Sequence, residues 1–504
     1  MKKSTYLLVF FLFLFFKISF TQHIKINNKI EEGFYVDNDA AYFEGGFITI
    51  GSGYLRILKD NSNVFFEKEW GDYKLTLCKP NLCKPAFVNI INEKIIILGY
   101  EFGNKSYKIF RFTFDMQLQL IDEKFVAEVN IEDKGVQAQD TKFLKSPQND
   151  YYIFARGLCF KDKAKSDKLE YVVFDGEFNK KEQNILSMPT GSGNGNDMIK
   201  NINSIFTLDD GTAMINYGGA LFVLGEGSPM QLTLELEHGI TSYEILRKNS
   251  KEIILIGTYF SGTGNEKSSG IAIITFDAET LEAISQTYTP VDEKFDTRTE
   301  LFSNDGAVAI KHPGEPYLLG SQIDADGIIR IAISSHSAIS PDEHGYHNID
   351  ILGMNANGEI VFEKVVPKRL NGEERNVRPI TMFTENQTII YWEEDKLNFD
   401  ESGNYKFNEK TKSNDQFLNN FVYQMVYHFV VYDHEKDKYS NKKIQIKDKD
   451  GTTIEYDNKS MVIGNFVTSQ PDEKYYFFIK VQPVNSRYGN IGKIYTLFGN
   501  LEIE

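Results

Sequence analysis

Between Ser340 and Asn348 the chain reads SPDEHGYHN, and His336 stands just ahead of it. Asp342, Glu343, His344 and His347 are the side-chain types that hold zinc and similar ions or move protons, and here they fall within six positions. The chain has 8 histidines in all, so this segment takes a large share of them. His344 and His347 are the candidate metal ligands. Structural zinc sites use tighter ligand pairs that recur elsewhere in the chain, and no matching pair is present, so a solvated polar loop is the competing reading. Tyr346 adds an aromatic ring, and His336, Asp342, Glu343, His344, Tyr346 and His347 together are the candidate ligand-face residues.

Other stretches support less chemistry. Asp324, Asp326 and Gly327 in IDADGIIR resemble the start of a calcium loop, but the later bidentate glutamate is missing and Asp-Gly is expected in any hairpin turn. TGSGNGND at 190–197 is glycine-rich, yet no Lys-Ser/Thr follows it, so it is not a phosphate cradle. No Gly-x-Ser-x-Gly elbow occurs between a strand and a helix. Glu393, Glu394 and Asp395 form an acidic run of the kind any acidic chain contains. The spacing of two carboxylates for glycoside hydrolysis is not legible in a sequence. No catalytic residue is assigned, and no cofactor is expected beyond the divalent ion that the histidines would allow.

The chain has 3 cysteines. Cys78 and Cys83 in LCKPNLCKP are separated by a turn-forming Pro80-Asn81, so a local disulfide and a pair of free thiols are both open. Cys159 is left over and reads as a small buried hydrophobe.

The first residues, MKKSTYLLVFFLFLFFKISFTQ, have the layout of a secretory signal peptide: Lys2 and Lys3, an apolar run from Tyr6 to Phe16, then small and polar residues. Residues 1–21 are expected to be removed, leaving 22–504 as one exported domain in a periplasmic, cell-surface or extracellular setting. The apolar run is short for a bilayer span, and no later stretch approaches one, so no membrane insertion is expected. The formal net charge is −16, and loss of Lys2, Lys3 and Lys17 with the leader deepens it. Such a field repels phosphate backbones, so nucleic acid is not an expected partner. The high Lys, Asn, Ile, Phe and Tyr content suits a bacterial protein from an AT-rich genome.

The elements that would position these residues repeat. Apolar strand, polar turn, apolar strand recurs near residues 34, 86, 142, 204, 242, 317, 380 and 461. The turns are rich in Asp, Asn, Gly, Ser or Pro, which close hairpins. A second hairpin follows nearly every first one, so the unit is four antiparallel strands, A to D. In IIILGY and IAIITF apolar residues stand at consecutive positions, so both sheet faces want burial. A half-exposed sheet would alternate. Small sheets buried on both faces must stack on one another, and radial stacking does this with short edges. The expected fold is an all-β β-propeller of eight four-stranded up-and-down blades, with seven as the alternative because the copy near 34 is poor.

On this strand pattern the chain resembles the secreted β-propeller proteins of environmental bacteria, over nearly the whole of its expected mature length. FEGGFITIGSG and INYGGALFVLG are similar to the double glycine of kelch repeats, at Gly45-Gly46 and Gly218-Gly219, without the later Tyr and Trp spacing; Trp-Asp repeat endings are missing too. The resemblance implies a fold and no particular chemistry, since propellers host binding proteins, hydrolases, lyases and scaffolds alike.

In such a fold the B–C and D–A connections share one face. Here they are the long ones: 157–170, 261–270, 335–348 and 393–420 between B and C, and 190–201 and 291–315 between D and A. Insertions gathered on one face mark a binding face. The expected function is a non-catalytic protein- or glycan-binding module using that face, with Tyr259, Phe260, Tyr346, Tyr391 and Trp392 as aromatic candidates. The alternative is a hydrolase or lyase with its site at the channel mouth.

Overall fold

The computed structural model describes the backbone of residues 24–503 apart from 33–38, 44–45, 52, 60–63, 80–81, 103–105, 131–135, 147–149, 161–167, 188–204, 218–219, 226–228, 233–237, 262–267, 292–314, 341–342, 373–378, 385, 396–424, 446–459, 463–465, 469–473 and 483–494. Among the described residues the chain forms eight antiparallel sheets, and one short 3-10 turn at Trp70–Asp72 is the sole helical element. The leader expected at 1–21 lies outside the described residues.

Each sheet takes its strands in chain order. Blade 1 is Asp39–Phe43, Gly46–Gly51, Tyr54–Lys59 and Val64–Glu69; blade 2 is Cys83–Ile91, Lys94–Phe102, Ser106–Phe114 and Leu120–Asn130. Blade 3 is Val136–Lys145, Tyr151–Phe160, Lys168–Asp175 and Lys180–Ser187; blade 4, the smallest, is Ile205–Thr207, Ala213–Tyr217, Ala220–Val223 and Met230–Gln231. Blade 5 is Gly239–Arg247, Glu252–Ser261, Ser268–Asp277 and Ala283–Pro290; blade 6 is Glu315–Ile323, Ile329–Ser340, Glu343–Met354 and Ile360–Gly372. Blade 7 is Ile380–Phe383, Gln387–Asp395, Met425–Asp433 and Lys438–Gln445. Blade 8 closes the ring. Its inner edge is Ser460–Val462 and Phe466–Thr468, followed by Lys474–Gln482 and Tyr495–Ile503, and its outer strand is Ile24–Glu32 from the start of the chain. Phe466–Thr468 also touches Asp39–Phe43, bringing the last sheet against the first. The chain is a β-propeller.

The consecutive apolar positions do what two-sided burial requires. In strand B of blade 2, Ile95 and Ile97 join Ile48, Ile57 and Phe112 on the side of blade 1. Ile96 and Leu98 join Phe87, Ile109 and Phe154 on the side of blade 3. Buried apolar clusters of this kind fill the seams from blade 1 to blade 7. Fully burying each such side chain stabilises the fold by roughly 1.5–3 kcal/mol before entropy is counted.

The C–D turns carry a second repeat. Strand C ends in Asp or Asn, whose Oδ1 accepts backbone N–H groups of the turn. Asp115 takes Gln117 and Gln119, Asp175 takes Glu177 and Asn179, Asp277 takes Glu279 and Thr280, and Asn355 takes Asn357 and Glu359. Three or four residues on, Leu118, Phe178 and Leu281 adopt φ of 59°, 57° and 59°, where an ordinary residue costs roughly 1–2 kcal/mol. All three are buried in the seams, and that burial offsets the backbone cost. Asp324 behaves in the same way at an A–B turn: its Oδ1 accepts Asp326 N and Ile328 N, so IDADGIIR is a hairpin turn.

Candidate functional site

The segment expected as a loop at 335–348 is built differently. Strands B and C of blade 6 run on for 12 residues each and strand D for 13. His336 pairs with Tyr346, Ala338 with His344 and Ser340 with Glu343; on the other edge His344 pairs with Gly372, Tyr346 with Leu370 and His347 with Arg369. The candidate residues therefore sit on a three-stranded extension of the sheet, because backbone pairing needs no apolar side chains. Asp342 lies outside the described residues, as do the side chains of His336, Glu343, His344, Tyr346 and His347. Alternation along the strand places positions 344 and 346 on one face and 343, 345 and 347 on the other. A single ion shared by positions 344 and 347 would require that alternation to break. Among the described residues no group of three or more His, Cys, Asp or Glu is placed to hold a metal.

Two other B–C connections shorten in the same way, whereas those expected at 190–201, 291–315 and 393–420 lie almost wholly outside the described residues. Ser261 pairs with Ser268 in blade 5, and the strands of blade 3 run to Phe160 and resume at Lys168. Three aromatic candidates prove to be interior: Tyr259, Tyr391 and Trp392 are each 1% exposed. Tyr259 stacks on His238 at 4.7 Å, and Trp392 stacks on His428 at 4.5 Å and 4°. The side chain of Phe260 lies outside the described residues.

Cys78 and Cys83 are both buried and are held as free thiols, not as the disulfide left open above. The hydrogen bond to Cys78, and then burial, push the Cys83 thiol up. The Trp70 indole N–H donates to the Cys83 carbonyl at 2.9 Å, fixing the start of the strand. The Cys159 side chain and Gly45, Gly218 and Gly219 lie outside the described residues; a Cβ at Gly46 would run into the Leu58 carbonyl.

The seam between blades 2 and 3 holds a constellation that the motifs did not reveal. A column of rings climbs it from the turn face: Phe178, Tyr152, Phe87, Phe143, Phe154, Tyr107 and Phe102. Neighbouring centroids lie 4.7 to 5.8 Å apart. Tyr100 stacks on Phe143 beside it at 4.9 Å. At the long-connection end the column meets two charges. Arg156 in strand B of blade 3 is opposite Glu170 in strand C, and the two are 0% and 1% exposed. The Arg156 guanidinium lies 5.5 Å from the centre of the Tyr107 ring. Its Nε, Nη1 and Nη2 have no hydrogen-bond partner, nor has Glu170 Oε2. Burial lowers the Arg156 pKa, and burial pushes Glu170 up to about 7 despite the opposing pull of Arg156. An ionised group buried without partners costs several kcal/mol. The signal was present in the sequence: YYIFARGLCF and KLEYVVFD each place one charge inside an apolar strand.

No family model matches the chain, and no curated protein matches it. It is similar to solved structures at low identity. The WD40 domain of SCAP from fission yeast is 10% identical with a TM-score of 0.35, over 96% of this chain and 99% of that one. The Nup133 β-propeller domain of Vanderwaltozyma polyspora is 10% identical with a TM-score of 0.34, over 83% and 100%. An ulvan lyase described as a new family of polysaccharide lyase is 12% identical with a TM-score of 0.35, over 81% and 90%.

Proposed function

We propose that the protein is an exported β-propeller scaffold that binds a protein or glycan ligand on the face of its B–C connections. The blade 6 extension carrying His336, Asp342, Glu343, His344, Tyr346 and His347 stands at the centre of that face. One observation carries the reading: the two faces are built differently. On one, hairpins are closed by short Asp- or Asn-capped turns with anchors sunk into the seams. On the other, paired strands run on past the body of the blade. Extended, positioned backbone on a rigid scaffold is where repeat proteins bind.

The test is a glycan array and a protein-capture screen with wild type and a variant whose residues 336–346 are replaced by a two-residue turn. Retained melting with lost binding is the expected result. Binding that survives this change but falls on substitution of Asp175 or Asp277 would move the ligand to the other face. Export is tested separately, by sequencing the N-terminus of the secreted protein, which should begin near residue 22.

A further inference from the structure

We propose that His336 and His344 hold a divalent transition-metal ion across strands B and C of the blade 6 extension, with Tyr346 at the neighbouring position. The strand pairing carries this. His336 is directly opposite Tyr346, Ser337 opposite Gly345 and Ala338 opposite His344, three successive pairs without a shift. Residues directly opposite each other share a face of a sheet, and so do residues two apart on one strand. Positions 336, 344 and 346 therefore lie together on one face of the ladder, and position 347 lies on the other. The partner that the ladder gives His344 is His336, not the His347 that spacing along the chain suggested.

Positions 336 and 344 are diagonal neighbours on adjacent strands. Such positions are separated by roughly 7–8 Å, within reach of aromatic and long side chains. Two imidazoles that share an ion each approach it to about 2.0–2.1 Å, so a diagonal pair can span the gap. The residues paired with His344 on its two sides are Ala338 and Gly372, which take little space and leave the face clear around that position. The donor set selects the ion. Imidazole suits zinc, nickel and copper, whereas magnesium and calcium ask for carboxylate and carbonyl oxygens. Glu343 falls on the opposite face from His344 and adds no carboxylate there. Two protein nitrogens leave further coordination positions for water, so this is an open, exchangeable site and not a closed structural zinc. The proposal rests on the pairing of the strands and not on the glycan or protein ligand proposed for the same extension.

The experiment is titration calorimetry of the full chain with zinc, nickel, copper and calcium chlorides. The proteins are wild type, His336→Ala, His344→Ala and His347→Ala, each first checked for unchanged melting in chelator. Wild type should bind zinc, nickel and copper at one site and should not bind calcium. His336→Ala and His344→Ala should each weaken that binding about tenfold or more, since even groups standing behind a metal ligand are worth that much. His347→Ala should leave it unchanged. Electron paramagnetic resonance of the copper form should show two imidazole nitrogens in wild type and one in either weakened variant. A single nitrogen in wild type would overturn the pair without recourse to any variant. Binding that His336→Ala leaves intact, or that His347→Ala removes, would overturn the assignment as well. No binding of any ion, while the array ligand still binds and still depends on residues 336–346, would overturn the ion site and leave the proposed face standing.

Discussion

Two arginines are buried between neighbouring blades, and they are treated in opposite ways. Arg330, at the turn face of the seam between blades 6 and 7, is 5% exposed. Its Nη1 donates to the Thr384 carbonyl at 2.9 Å and its Nη2 to Asp324 Oδ2 at 3.0 Å, so one side chain ties the A–B turn of blade 6 to that of blade 7. Arg156, at the long-connection end of the seam between blades 2 and 3, has no such contact. The same residue type in the same kind of seam is a fastening at one face and an unspent set of donors at the other. Arg330 spends its donors on a turn carbonyl and a turn carboxylate, whereas those of Arg156 are left over.

The largest expected effect tests this contrast directly. Arg330→Met removes a paired buried cation and leaves Asp324 without it, which should cost about 3–5 kcal/mol in urea unfolding. The double change Arg156→Met with Glu170→Met replaces two poorly satisfied charges by apolar side chains. It should be neutral or stabilising by about 1–4 kcal/mol. Equal losses at the two seams would abolish the contrast.

The seams should also answer pH with opposite sign. Glu170 has its pKa raised from 4.5 to about 7, so the stability linked to its proton is complete below pH 4.5 and is lost as pH rises through about 7. The loss is on the order of 3 kcal/mol. Glu170→Gln cannot ionise, so its advantage over wild type should grow by that amount between pH 4.5 and pH 8. In the other seam His434 bonds Thr388 Oγ1 at 2.8 Å, and burial, then Arg330, lower its pKa from 6.5 to about 4. Its contribution is complete above pH 6.5 and is lost as pH falls through about 4. Melting curves of Glu170→Gln and His434→Gln against pH should therefore diverge from wild type at opposite ends of the range.

A smaller effect belongs to the turn repeat. Asp175→Ala removes the acceptor for Glu177 N and Asn179 N, and should cost about 1 kcal/mol by thermal unfolding. No change would mean that the buried Phe178 alone sets the turn.

Much of this architecture was legible, and the exceptions have physical causes. Strands B and C announced themselves because burial on both faces forces consecutive apolar residues, as in Lys94–Phe102. The outer strand of blade 8 did not, since IKINNKIEE is polar and its partner lies at the far end of the chain. The left-handed backbone of Leu118, Phe178 and Leu281 was not legible, because nothing in a sequence shows φ directly. The extension at 335–348 read as a loop because Ser, His and Gly carry no strand signal, although backbone hydrogen bonds pair them all the same. Arg156 and Glu170 were readable as charges inside buried strands and passed over, because no motif marks a lone pair of opposite charges.

The smallest effect expected on stability falls on the face proposed to bind. His344 and Tyr346 share one face of the blade 6 extension, and Tyr346 pairs with His336 across it. The backbone ladder holds that extension whatever the side chains are, so His344→Ala with Tyr346→Ala should change stability within about ±0.5 kcal/mol. Binding of the array ligand should fall in the same variant, which separates a working surface from a structural one. Positions 344 and 347 fall on opposite faces, so the metal reading predicts something the ladder does not favour: a rise in melting temperature with divalent ion that a chelator reverses and that His344→Ala with His347→Ala removes. Coincident melting curves with and without chelator, for wild type and that variant, would leave the extension as a surface for ligand contact alone. A chelator-sensitive wild type would instead mean that His336 or residues from a neighbouring blade complete an ion site there.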